Sequence, residues 1–147
     1  MTLHPIAALL VATTVLAACA TPTESELALV VALDAREFAR DSVGNVVVPF
    51  RVSNAGSTTV YLPTCGTTVT ADIERRNSPT GWATSAAGAS CYLSLYLGPR
   101  RLEPGQSVSG VQSARLSTGE YRLRVLVSRD AQQNPNRSAT SDVISIR

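Results

Sequence analysis

Lysine is absent from this chain of 147 residues, so all thirteen basic residues are arginine. Histidine occurs once, at His4, and methionine once, at Met1. Aromatic side chains make up only 5% of the residues, with a single tryptophan, Trp82. These shortages exclude much chemistry. Without lysine there is no Schiff base and no P-loop. With its one histidine near the N-terminus, the rest of the chain has no Ser-His-Asp or Cys-His machinery. It also lacks a histidine-bearing zinc site and a blue-copper ligand set. A net charge of +2 is too small for a nucleic-acid footprint. No cofactor and no metal site are expected, and an enzyme would have to work with carboxylates or a bare serine.

Long hydrophobic runs are also lacking. The one candidate, residues 6–18, reads IAALLVATTVLAA. As a helix it would span roughly 20 Å, against about 30 Å for the hydrocarbon core of a bilayer. It is too short to span a membrane and fits the apolar part of a secretory signal, although the preceding MTLHP carries no Lys or Arg. The run ends in Leu16-Ala17-Ala18-Cys19. This order, an apolar residue, two small ones and a cysteine, resembles the lipobox of bacterial lipoproteins. The resemblance implies cleavage between Ala18 and Cys19 and acylation of the Cys19 thiol. Several chains are needed for stable anchoring. Ala20, where the family often has Asp for inner-membrane retention, implies an outer-membrane location facing the periplasm. The alternative is an ordinary secreted protein, with Cys19 incidental. The organisation expected is a signal peptide over 1–18, a tether over 19–26 and one domain over 27–147. The seven residues 20–26 reach at most about 25 Å.

Lipidation of Cys19 would leave Cys65 and Cys91 as an even pair in an oxidising compartment, where a disulfide is expected. Closing that loop would contribute roughly 3 to 3.5 kcal/mol. Two buried free thiols are the alternative.

From Leu27 onward the pattern has period two, and turn signals separate short runs. NVVVPFRVSN places Val46, Val48, Phe50 and Val52 on one face. Pro49 on the other face cannot donate to a ladder, which predicts an edge strand or a bulge. NAGST predicts a turn, with Gly56 free to take positive φ. Further strands are expected in LALVVALDAREFA, TTVYLPTC, TVTADIERR, CYLSLYL, SVSGVQSARL and SDVISI, and in EYRLRVLVS with Tyr121, Leu123, Val125 and Val127 inward. Such spacing predicts an all-β sandwich or barrel with no helix after residue 26.

Three motifs are more particular. FRVSNAG, residues 50–56, has a V-x-N-x-G form. Leu102-Glu103-Pro104-Gly105-Gln106-Ser107 has the form of a turn with proline second and glycine third. STGEYRLRV ends in G-x-Y-x-L-x-V. In this order they resemble bacterial immunoglobulin-like domains and the bacterial intracellular proteinase inhibitor-like domain. The resemblance implies an antiparallel immunoglobulin-like β-sandwich of 7–8 strands, with Tyr121 at a tyrosine corner. The cysteine pair and the small-residue stretch TGWATSAAGAS depart from the inhibitor pattern.

Candidate site residues are few. Asp72 and Glu74, two apart on one strand face, could form a hydrolytic carboxylate pair or a solvated face beside Arg75 and Arg76. The doublets Arg75-Arg76 and Arg100-Arg101 suit an anion-binding loop or edge-protecting charge. Arg122 and Arg124 fit an outer strand face. Trp82 is either a core residue packed on the disulfide or an exposed recognition residue. The expectation is therefore a monomeric, lipid-anchored bacterial envelope protein whose domain is a non-catalytic binding or structural module. Its partners would be the membrane, through the anchor, and an envelope protein or glycan. Proteinase inhibition and a carboxylate-dependent hydrolase are the alternatives.

Overall fold

The computed structural model describes residues 28–86, 98–132 and 135–147. The expected signal segment, Ala18, Cys19, Cys91 and the expected strand 91–97 lie outside them. The described residues form thirteen strands and no helix. In order these are β1 (Leu29–Leu33), β2 (Glu37–Phe38), β3 (Asn45–Asn54), β4 (Val60–Leu62), β5 (Thr64–Cys65), β6 (Thr68–Val69) and β7 (Asp72–Arg76). They continue with β8 (Trp82–Ala86), β9 (Arg100–Leu102), β10 (Ser107–Arg115), β11 (Gly119–Val127), β12 (Arg137–Thr140) and β13 (Ile144–Ile146). One sheet runs β1-β3-β10-β6-β5, the other β2-β13-β11-β7-β8 with β12 also on β11, and β4-β9 form a separate ribbon.

The fold is all-β and β-sandwich-like, but two expectations need correction. The strands outnumber the expected 7–8, and the sheets are mixed, because β10–β6 and β13–β2 pair in parallel. Proline accounts for part of the extra count. Pro63 breaks the run 58–65 into β4 and β5, which pair with different partners, β9 and β6. β8, β9 and β12 form where no strand was expected.

The alternation in β3 behaves as its sequence requires. Val46, Val48, Phe50 and Val52 are buried, in one core with Ile73, Tyr121, Leu123, Val125, Val127, Ile144 and Ile146 from the facing sheet. Each such side chain contributes about 1.5 to 3 kcal/mol of burial free energy. The edge strand or bulge expected from Pro49 is corrected: β3 is an internal strand in continuous register, held by β1 on one side and β10 on the other. Pro49 is tolerated because β1 ends at Leu33, opposite Phe50, so Pro49 has a strand neighbour only at Val111. Gly110 sits directly across from Phe50, and a Cβ there would lie 2.4 Å from the ring Cζ. The glycine makes room for the ring.

The three motifs are structural joints. Gly105 has φ +77°, and Gln106 N donates to Glu103 O at 3.1 Å, closing the proline-glycine turn. Tyr121 is fully buried, and its hydroxyl donates to Ser117 O at 2.9 Å, four residues upstream. Gly56, by contrast, does not take positive φ. Its N–H donates to Asn54 Oδ1 at 3.1 Å, so an asparagine-led turn shapes that loop.

Candidate functional site

The outward face of β11, β7 and β8 carries a network of ion-paired side chains. Register sets it up: Asp72 lies across from Arg124, Glu74 from Arg122, and Thr84 and Trp82 from Glu74 and Arg76. Paired residues of neighbouring strands share a face, so these side chains stand on the side opposite the core. A register shift between Ile73 and Glu74 lets Ala86 pack on the core while Thr84 and Trp82 face out.

Arg122 Nε donates to Glu74 Oε2 at 2.7 Å, and Arg124 reaches both Glu74 Oε1 at 3.1 Å and Asp72 Oδ2 at 2.7 Å. Arg76 pairs with Glu120 at 2.8 Å. The Glu74 side chain is only 6% exposed, so it is the shielded centre of this network. The hydrogen bond to Asp72 raises the pKa of Arg124, against the opposing effect of burial. The expectation of a solvated acidic face beside Arg75 and Arg76 is corrected: both carboxylates are committed to guanidinium groups of β11.

Trp82 stands outside the core, so a core tryptophan packed on a disulfide is also corrected. The Arg122 guanidinium lies 4.5 Å from the indole centroid, and that of Arg76 lies 5.0 Å away. Both distances are within cation–π range. The ring is half-buried on these two arginines and the edge strand that carries it.

The five binding candidates are not all brought together. Arg76 and Trp82 meet, joined by Arg122, which sequence reasoning assigned only to an outer face. Arg75 points the other way, because its strand partner is the inward Tyr121. It reaches over the end of the sheet, 6.0 Å from the Tyr121 ring, and donates to Thr118 O at 3.4 Å. Adjacent arginines on one strand face opposite sides, so the doublet is not a single anion site. Arg100 and Arg101 lie on the β4–β9 ribbon. Arg101 is ion-paired to Glu103 at 2.7 Å, and Arg100 lines a small recess with Thr64, Gly66, Thr67, Gly98 and Pro99. Cys65 ends β5, half-buried.

A larger open recess lies at the end of the sandwich where β3 starts, between the loop 40–44 and Arg115, Leu116, Ser117 and Arg147. Asp41 shapes its floor, accepting from Asn45 N at 2.8 Å and Val43 N at 3.0 Å. These donors, the Asn45 main-chain N–H foremost, hold the Asp41 pKa below its ordinary value. Among the described residues no group of three His, Cys, Asp or Glu could hold a metal ion.

No protein-family model matches this chain, and no curated protein matches it either.

Proposed function

We propose that this protein is a lipid-anchored bacterial envelope lipoprotein with an immunoglobulin-like β-sandwich that serves as a non-catalytic binding module. The observation that carries the binding reading is Trp82, an indole outside the core on an outward sheet face, oriented by Arg76 and Arg122. Tryptophan and arginine are the side chains that most often dominate binding surfaces, and here both are pre-arranged by the sheet. The partner is an envelope protein or glycan that meets this face.

The anchoring reading rests on the Leu16-Ala17-Ala18-Cys19 motif at the end of the apolar run. The Cys65–Cys91 disulfide is supported by parity once Cys19 is acylated, and by a Cys65 sulfur that is engaged rather than free. The immunoglobulin-like reading is supported by the Tyr121 corner and by the joined Asn54 and Pro104-Gly105 turns. Against the hydrolase alternative, Asp72 and Glu74 are locked to Arg122 and Arg124, where neither is free to act as acid or nucleophile. A photo-crosslinker at the exposed Thr84, beside Trp82, tests the binding face in the intact envelope. It should give a discrete adduct that weakens in Trp82→Ala, and an adduct indifferent to Trp82 would contradict the reading.

A further inference from the structure

The two sheets differ sharply in charge. On the outward face of β7 and β11 every arginine has a carboxylate partner. The strands of the other sheet, β1, β3, β10, β6 and β5, contain no Asp or Glu at all, and their only charges are Arg51 and Arg115. Both are exposed, and neither pairs with a carboxylate among the described residues. They stand on the outward face with Val30, Val47, Pro49 and Val111, because Val30 lies across from Ser53, Ser109 from Arg51, and Val111 from Pro49. Val30, Val47 and Val111 are 52%, 57% and 49% exposed. Around them on the three strands stand small or polar side chains: Ala32, Asn45, Ser53, Ser107, Ser109 and Ser113.

We propose that this outward face of the β1–β3–β10 sheet docks on an anionic phospholipid surface, resting on the lipid-anchor reading above. Two observations and one physical argument converge. Arginines with no carboxylate partner among the described residues, set among exposed aliphatic side chains on strands that carry no acid, match lipid phosphates over an apolar interior. The chain between Cys19 and β1 is short, and β1 is the edge strand of this same sheet, so the anchor holds the face near the bilayer. Tethering also raises the effective concentration, so a weak contact suffices to orient the domain. A second copy fits less well, since a symmetric contact would set Arg51 and Arg115 against a sheet without carboxylates. With this face down, the Trp82 face on the opposite sheet is turned away from the bilayer, toward partners.

The test uses the full-length lipidated protein in vesicles of phosphatidylcholine, with or without phosphatidylglycerol. An environment-sensitive dye is placed at Ser109→Cys or, as control, at Thr84→Cys, with a quencher confined to the lipid. Quenching is expected at position 109 and not at 84, only with phosphatidylglycerol present. The double variant Arg51→Glu/Arg115→Glu should lose it, since each arginine shifts the docked population by about fivefold. Equal quenching at both positions, or none at 109, overturns the proposal. So does shielding at 109 that rises with protein concentration in the absence of vesicles, which marks a second copy. Fatty-acid labelling of Cys19 is scored separately. If it is absent, the anchor reading fails and the unlipidated chain is sedimented with the same vesicles. Binding to the phosphatidylglycerol vesicles alone then supports docking, and no binding overturns it.

Discussion

The Asn54 side-chain amide donates to the Leu102 main-chain oxygen at 3.0 Å, across 48 residues of sequence. The same nitrogen donates to Thr58 O at 2.8 Å, and Asn54 Oδ1 accepts from Gly56 N. Its own backbone N–H and carbonyl bond to Gln106 O and Gly105 N. One buried residue therefore ties the turn after β3 to the turn before β10.

Asn54→Ala leaves two main-chain carbonyls, those of Thr58 and Leu102, and the Gly56 N–H without these partners. A loss of about 2 kcal/mol or more is expected, read as a lower melting temperature. Asn54→Asp should do no better, because a carboxylate keeps the bond from Gly56 and faces the two carbonyls with no donor. A melting temperature unchanged in either variant would contradict this joint.

Gly110→Ala drives a methyl group into the Phe50 ring. The strain is expected to cost about 1 to 3 kcal/mol. Phe50→Leu in the same chain should recover part of that loss, while Phe50→Leu alone destabilises by opening a cavity. Additive losses in the double variant would show that the two positions do not share space.

Asp41 links stability to pH. Its folded pKa is depressed, so its contribution is present above its unfolded pKa and is lost as pH falls through the folded value. Wild type should melt higher than Asp41→Asn near neutrality, and the gap should close on acidification below the ordinary aspartate value of 3.8. A gap independent of pH would mean that the loop depends on shape and not on charge.

Cys19→Ala should abolish incorporation of labelled fatty acid and release the protein from the membrane fraction. Label retained by the variant would place the acyl chain elsewhere and end the anchor reading.

Where apolar alternation meets a core, the sequence was legible. β3 and β11 lie where their valines and leucines required, and the Pro104-Gly105 turn and Tyr121 perform the roles their motifs implied. The illegible strands are those that do not depend on alternation. β8, with residues WATSA, is held at a sheet edge by its ladder to β7 and buries little, so its composition read as a loop. β12 is short and polar for the same reason, and β9 offers only three residues, two of them arginine, before its one core side chain, Leu102. Period-two reading put Asp72 and Glu74 on one face and Arg122 and Arg124 on another strand's outer face. It could not give the register that sets the two faces against each other. Trp82 is undecidable from the sequence because its outward direction follows from its pairing with Arg76 across the 77–81 turn, a register that leaves no mark in composition.

The proposed binding role requires Trp82 to be a recognition residue and not a stabilising one. The direct measurement is paired: melting temperature of Trp82→Ala, and yield of the Thr84 crosslink in the same variant. Loss of two cation–π contacts should cost about 1 kcal/mol, a small shift in melting temperature. The crosslink yield should fall at least about tenfold, the usual scale for a binding anchor. A large fall in melting temperature with the crosslink retained would contradict the account and return Trp82 to a purely structural role.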